Sequence, residues 1–310
     1  MTDRPKLRIG TRGSPLARAQ ADIVRARIAA THRLDPATLE IVAISTSGDA
    51  VRDRSLAEAG GKGLFTKEIE QALLAGKIDL AVHSAKDVPT FLPNGLMLAA
   101  FPERADPRDA FVSTKFERLA ALPAGAVVGS ASVRREALVR RLKPDVFVKL
   151  LRGNVNTRVE KVASGAFDAA VLALAGLERL GLSAQAKEVL DPDVFPPSVG
   201  QGAIAIEIRA GDRDTEKLAA AIDDEPTAVA LSAERAFLAE LDGSCRTPIA
   251  GYARLSGGRV RFHGLVISPD GREAVETRRE GLPADAARLG ADAGRELKSR
   301  APAAVLATFS

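Results

Sequence analysis

Tryptophan is absent from the 310 residues, which hold one tyrosine, one cysteine, two methionines and three histidines. So few flat aromatic rings leave little from which to build a base-stacking platform for single-stranded nucleic acid. The lone Cys245 excludes an intrachain disulfide and a multi-cysteine metal centre. His32, His83 and His263 follow no zinc or cysteine-protease spacing, so no metal is expected. No apolar run approaches the roughly 20 residues that a spanning helix needs. Met1 to Lys6 lack an apolar signal core, so a cytoplasmic protein with no membrane partner is expected. A reducing compartment agrees with the scarcity of cysteine.

What is present is ordinary in bulk and uneven in detail. Apolar residues make up 46% and charged residues 27%, as in soluble globular proteins. The net charge of +4 is too small to argue for nucleic acid. Between Val127 and Arg158, however, eight basic residues face only Glu136 and Asp145, a local surplus larger than that of the whole chain. A small polyanion fits that distribution better than DNA or RNA.

The first two-thirds alternates strands and helices. Strands are predicted at 6–10, 39–45, 78–82, 126–129, 146–151 and 169–174, and helices at 15–30, 66–75, 133–142 and 155–163. Ile9-Gly10-Thr11-Arg12-Gly13-Ser14 parallels Val128-Gly129-Ser130-Ala131-Ser132, and Gly76 to Val82 parallels Gly165 to Val171. The pattern predicts two similar doubly wound α/β domains, hinged like a periplasmic binding protein, with parallel or mixed sheets. Pro- and Gly-punctuated segments at 102–107 and 196–201 are the expected crossings between them. After a helix at 227–241, three strand-like runs (249–255, 260–268, 273–279) and a closing helix near 284–298 predict a small α+β domain with a three-stranded antiparallel sheet. The boundaries read as 1–102 with 203–220, then 106–197, then 225–310.

Thr11-Arg12-Gly13-Ser14-Pro15 closes a strand and opens a helix, with Ser14 as N-cap and Pro15 as first helical residue. Free N–H groups at that helix end, with Arg12 beside them, make a small anion site or an ordinary cap. Ser130 and Ser132 precede Arg134 and Arg135 in the same way. Arg152-Gly153-Asn154 ends a strand, and Arg158 follows one turn into the next helix. Strand carboxyl ends face the ligand crevice in open α/β sheets, and arginine clamps carboxylates through two parallel hydrogen bonds. Val82-His83-Ser84-Ala85-Lys86-Asp87-Val88-Pro89 ends a buried strand in acid–base groups. A carboxylate there, ionised beside Lys86, could stabilise a cation or accept a proton. Gly60-Gly61-Lys62-Gly63 lacks the Walker spacing and reads as a flap carrying Lys62.

Taken together, these motifs resemble the porphobilinogen deaminase (hydroxymethylbilane synthase) family nearly end to end. The resemblance rests on Arg8 to Arg12, Gly61-Lys62-Gly63-Leu64-Phe65, Val82 to Pro89, Asp106-Pro107-Arg108-Asp109-Ala110-Phe111, Leu151 to Val155, Gly200-Gln201-Gly202-Ala203 and Gly243-Ser244-Cys245. It implies a transferase of tetrapyrrole biosynthesis with a dipyrromethane cofactor joined to Cys245 by a thioether. Four porphobilinogens are added head to tail, each losing ammonia, and hydrolysis releases linear hydroxymethylbilane. It implies that Asp87 is catalytic, stabilising the azafulvenium cation left by ammonia. It places Arg12, Ser14, Gln20, Lys62, Ser84, Lys86, Ser130, Ser132, Arg134, Arg135, Arg152, Arg158 and Arg179 around the carboxylates of cofactor and substrate. A monomer that passes its product to the next enzyme of the pathway is expected. Two positions depart from the family pattern: Ala131 stands where a hydroxyl is common, and Glu58 where the flap often has a further lysine.

Two other readings predict different behaviour. A two-lobed binding module accounts for the arginines and the hinge, but not for Asp87 beside Lys86, nor for Cys245. A cysteine hydrolase requires a histidine within reach of Cys245, for which His83 is the candidate.

Overall fold

The structure is a computed structural model that describes residues 7–50, 63–241 and 247–306. In chain order the first series is β1 (Leu7–Arg12), α1 (Pro15–His32), β2 (Leu39–Ile44), the single turn α2 (Ser47–Ala50), α3 (Lys67–Leu74), β3 (Leu80–Ser84) and β4 (Leu96–Ala100). The second is β5 (Asp109–Val112), β6 (Val127–Ser130), α4 (Val133–Leu142), β7 (Phe147–Leu150), α5 (Val155–Ala163), β8 (Ala169–Ala173), α6 (Leu174–Arg179) and β9 (Ala186–Val189). Then come β10 (Ile204–Arg209), α7 (Arg213–Ala220), α8 (Glu225–Glu240), β11 (Ile249–Ser256), β12 (Arg259–Ile267), β13 (Ala274–Gly281), α9 (Ala286–Arg300) and α10 (Ala303–Leu306). Two compact units result, one from residues 1–51, 61–105 and 203–228, the other mainly from 106–202 and 229–310.

The first unit is built on a sheet in the order β2-β1-β3-β10-β4. β1, β2 and β3 run parallel, and β10 is antiparallel to both β3 and β4. Ala21, Val24 and Ile28 of α1 pack on Leu7, Ile9, Leu80 and Val82 on one face. Ile69 and Leu73 of α3 cover Ile78 and Ala81 on the other. α1 starts where Ser14 Oγ accepts the Ala17 N–H and Pro15 supplies a preset φ. It stops at Arg33, whose left-handed φ of 53° turns the chain out of the helix.

The second unit repeats that plan in a sheet ordered β7-β6-β8-β5-β9, with β6, β7 and β8 parallel and β5 antiparallel to β8 and β9. The internal similarity seen in the sequence is carried residue for residue. Ile9 and Gly10 pair with Leu80 and Ala81, as Val128 and Gly129 pair with Ala169 and Ala170. The Asp79 carboxylate accepts the backbone N–H of Arg8 at 2.8 Å, and that of Asp168 accepts Val127 N–H at 2.9 Å. Side chains built on Gly10 or Gly129 would run into Ile78 or into Leu151 and Phe167, so both strands need glycine for close packing. Strands β5 and β10 are central in their sheets and buried along almost their whole length.

The same unit holds the antiparallel sheet β11-β12-β13, covered by α8 and α9. Phe237 of α8 meets Phe262 of β12 with ring centroids 4.9 Å apart. Glu234, fully buried on α8, accepts the backbone N–H groups of Gly200 and Ala253 at 2.7 and 2.8 Å. That carboxylate fixes the segment after Val199 to β11.

Candidate functional site

In the first unit the carboxyl ends of β1 and β3 converge on a small cleft, open to solvent and lined by Arg12, Ser14, Gln20, Phe65, His83, Ser84, Lys86 and Asp87. Arg12 ends β1, and Ser84 ends β3. Lys86 and Asp87 lie on the single 3-10 turn that follows. Buried Thr11 Oγ1 donates towards Ala17 O and Val82 O at 3.2 and 3.3 Å, tying the start of α1 to β3. Gln20 of α1 and Ser84 exchange hydrogen bonds of 3.0 and 3.1 Å. Six predicted site residues, from Arg12 to Asp87, therefore share one wall.

Asp87 Oδ2 lies 3.9 Å from Arg12 Nη1, and both side chains are partly exposed. The Arg12 guanidinium sits 4.1 Å from the centroid of Phe65. A planar cation is thereby held beside a carboxylate. The sequence reading placed Lys86 next to Asp87; the structure adds Arg12, a neighbour only through the fold.

In the second unit Ser130 ends β6, and Ser132 caps α4 by accepting from Arg135 N–H. Arg134 and Arg135 turn inward onto a residue not singled out as functional, Asp109 of β5. Arg134 Nη2 donates to Asp109 Oδ2 at 2.7 Å, and its Nη1 to Pro196 O at 2.7 Å. Arg135 Nε and Nη2 donate to Asp109 Oδ1 at 3.0 and 2.8 Å. Gln201 Nε2 bridges Asp109 Oδ1 and Pro107 O at 2.9 and 2.7 Å. Burial alone would raise the Asp109 carboxyl, but the two guanidiniums and the Gln201 amide outweigh it and hold it below the usual range. Burial lowers the Arg134 guanidinium, against the pull of Asp109. Two cations on one carboxylate leave a surplus positive charge, and Arg134 Nε is buried with no hydrogen-bond partner among the described residues.

Arg152 follows β7, and Arg158 Nε of α5 donates to Gly153 O at 2.9 Å. Arg179, at the end of α6, donates from Nη2 to Gly202 O at 2.7 Å. Lys62 and Cys245 lie outside the described residues, as do Glu58 and the flap around it. His83, required by the cysteine-hydrolase reading, is buried with Nε2 3.0 Å from Glu207 Oε2. Among the described residues, no group of histidine, cysteine and acidic side chains could hold a metal.

Two family profiles cover most of the sequence. The "Porphobilinogen deaminase, dipyromethane cofactor binding domain" matches residues 7–217, and the "Porphobilinogen deaminase, C-terminal domain" matches residues 228–299. The chain belongs to the porphobilinogen deaminase family. Porphobilinogen deaminases of Nitrobacter hamburgensis and Nitrobacter winogradskyi are each 60% identical to it over 293 residues, which is 94% of this chain and 93% of each relative. Among solved structures, the methionine-binding protein MetQ aligns with 69% of this chain and 88% of its own at TM-score 0.44 and 14% identity. The periplasmic VFT2 domain of Bordetella pertussis BvgS aligns with 72% and 88% at TM-score 0.39 and 17% identity. Likeness that loose carries no weight in the assignment.

Membership makes this chain a transferase that builds hydroxymethylbilane from porphobilinogen on a dipyrromethane cofactor. It also bears on the binding-module reading, which shares the two-lobed plan but not the chemistry. Among the described residues, no helix is long and apolar enough to cross a membrane. Phe65, Asp109 and Gln201 each fell inside a motif quoted for the family. Their contacts reach far along the chain, so local spacing gave them no role.

Proposed function

We propose that the cleft of the first unit is where porphobilinogen is deaminated and joined, with Asp87 as the catalytic carboxylate. The observation that supports this most is Asp87 at the carboxyl end of β3, 3.9 Å from Arg12 and on the same wall as Lys86. As ammonia leaves, positive charge develops on the substrate methylene, and a carboxylate fixed beside it stabilises that charge. The same oxygen serves as acceptor when the new ring loses its α-proton. Arg12 and Lys86 orient the acetate and propionate of the incoming ring, while Ser84, held by Gln20, offers its hydroxyl. Phe65 keeps Arg12 planar against the wall. Lys62 would add charge from the flap.

The dipyrromethane group, made of two linked rings carrying carboxylates, supplies the terminal pyrrole carbon that extends. The donor set of the second unit fits it: guanidiniums in surplus over Asp109, and a buried Arg134 Nε that lacks an acceptor among the described residues. Ser130, Ser132, Arg134, Arg135, Arg152, Arg158 and Arg179 are its proposed neighbours, and Cys245 its thioether anchor. An anchor needs no histidine base, in keeping with His83 being engaged by Glu207. We further assign the three segments 1–102 with 203–220, 106–197 and 225–310 to catalysis, carboxylate binding and cofactor anchoring. A cytoplasmic monomer that hands its product to the next enzyme completes the reading.

The test is Asp87→Ala. It folds with a wild-type circular dichroism spectrum, keeps or slowly gains its cofactor, and nearly stops turning over. Turnover at the wild-type rate would remove Asp87 from the chemistry.

A further inference from the structure

Beneath the cleft, on the face of the first sheet covered by α3, lies a polar cluster that the proposed chemistry does not use. It comprises Thr66, Glu70, His83 and Glu207, each less than a tenth exposed. Glu207 on β10 lies diagonal to His83 across the β3–β10 ladder, whose register pairs Ala205 with His83. His83 Nε2 is 3.0 Å from Glu207 Oε2. Glu70 approaches from α3, near enough to feel the charges of both. Glu207 Oε1 and Glu70 Oε1 are buried with no hydrogen-bond partner among the described residues.

The internal duplication supplies a control. The β3–β10 and β5–β8 registers, with the matching helix ends of α3 and α5, put Glu70, His83 and Glu207 at the places held by Val159, Leu172 and Val112. Thr66 corresponds to Val155. All four counterparts pack in one apolar cluster of the second unit. The fold is therefore content with hydrocarbon at these positions. In the first copy four polar groups occupy them at a desolvation cost. The turn after β3 is also where the copies part in chemistry: Lys86 and Asp87 stand where the second copy has Ala175 and Gly176. Polar packing and catalytic turn occur together or not at all.

We propose that the buried His83–Glu207 pair, with Glu70 in the same layer, sets the geometry of the Ser84–Asp87 turn, with His83 as the positioning residue for Asp87. An ionised carboxyl is costly in a dry layer, which favours an acid that keeps its proton. Glu70 is that acid. Burial raises its carboxyl, helped by Glu207 and opposed by His83 and by the Thr66 hydroxyl, which lies near but makes no well-formed hydrogen bond. Other charges on this face are Glu68 on the same helix, which accepts from Ser47 N–H, and Arg12 over Phe65. Arg8, Asp79 and Arg209 pair among themselves at the far end. A fixed His83 then holds the exit of β3, three residues before Lys86 begins the approach to Asp87.

This rests on the assignment of Asp87 as the catalytic carboxylate, and the test separates the two. Turnover is measured for His83→Gln and Glu207→Gln, each alone and in an Asp87→Asn background, on protein whose cofactor load is set by intact mass. Each single variant is expected to lower kcat by about 10- to 100-fold, the scale of a misplaced reacting group, with full cofactor load. The same changes in the Asp87→Asn background should cost less than about twofold, because the path they act through is already gone. Equal losses in both backgrounds, or no loss in the first, overturn the proposal. An Asp87→Asn protein as active as wild type overturns the Asp87 assignment instead. Should neither variant fold, Glu70→Gln decides. Glutamine copies the neutral acid at every pH, whereas wild type loses that form as pH rises above 4.5 through the raised value in the folded protein. The variant should therefore melt above wild type at pH 8, with the gap closing towards pH 4.5. A gap that ignores pH, or has the opposite sign, contradicts a buried, protonated Glu70 in this layer and with it the proposal.

Discussion

Asp109 shows how one side chain sets the state of several others. It is fully buried and is met by two guanidiniums and an amide. Its depressed carboxyl contributes stability that is present above the unfolded value of 3.8 and is lost as pH falls through the lower folded value. Asp109→Asn keeps the shape and removes the charge, leaving Arg134 and Arg135 buried against a neutral amide. Equilibrium unfolding should show a loss of about 3–5 kcal/mol at pH 7, the usual cost of an uncompensated buried charge. The gap should narrow only below about pH 4, where wild type too loses the charge. A variant as stable as wild type at pH 7 would mean that the arginines find other acceptors. The sequence showed the arginine pair and missed its counter-ion. Arg134 and Asp109 are separated along the chain, and the β5–β8 and β6–β8 pairings together bring them into contact.

At the scale of elements, what the sequence revealed follows how strongly each segment is patterned. Both helix N-caps with serine, Ser14 and Ser132, and the three-stranded C-terminal sheet were legible from caps, alternation and Gly-Gly or Pro-Asp-Gly turns. Strands β4, β5, β9 and β10 were not. Two are short edge strands and β5 spans only four residues, while β10, although Ile204, Ile206 and Ile208 alternate with Ala205, Glu207 and Arg209, follows directly on the segment that reads as a domain crossing. Chain direction hid their role further, since β5 and β10 each run antiparallel to the strand beside them in a sheet otherwise begun as parallel. Helix packing gives a direct check at this scale. The Cα of Gly290 on α9 lies against the Ala233 carbonyl of α8, where any Cβ would strike backbone and not a movable side chain. Gly290→Ala should lower the urea midpoint, costing about 1–3 kcal/mol through overpacking. An unchanged midpoint would show that the two helices separate freely.

On the scale of the whole molecule, one α/β plan is used twice and then specialised. The copies share strand order, register and the Asp79 and Asp168 carboxylates that seat their central strands. They differ at the turn after the third parallel strand, where one copy carries Lys86 and Asp87 and the other carries small residues. The repeat was visible in sequence because glycine and aspartate mark it at fixed offsets. Its consequence, a polar layer replacing an apolar one, was not, because Glu70, His83 and Glu207 come from three separate segments. In the proposed function guanidiniums serve both copies, since every ring added would bring further carboxylates.

A resident two-ring group bound to Cys245 underlies the proposed chemistry. Intact-protein mass spectrometry of the purified wild type, beside Cys245→Ser, tests it most directly. Wild type should exceed its sequence mass by two linked pyrrole units, and the serine variant should match its sequence mass and be inactive. An active wild type at its bare sequence mass would contradict the account.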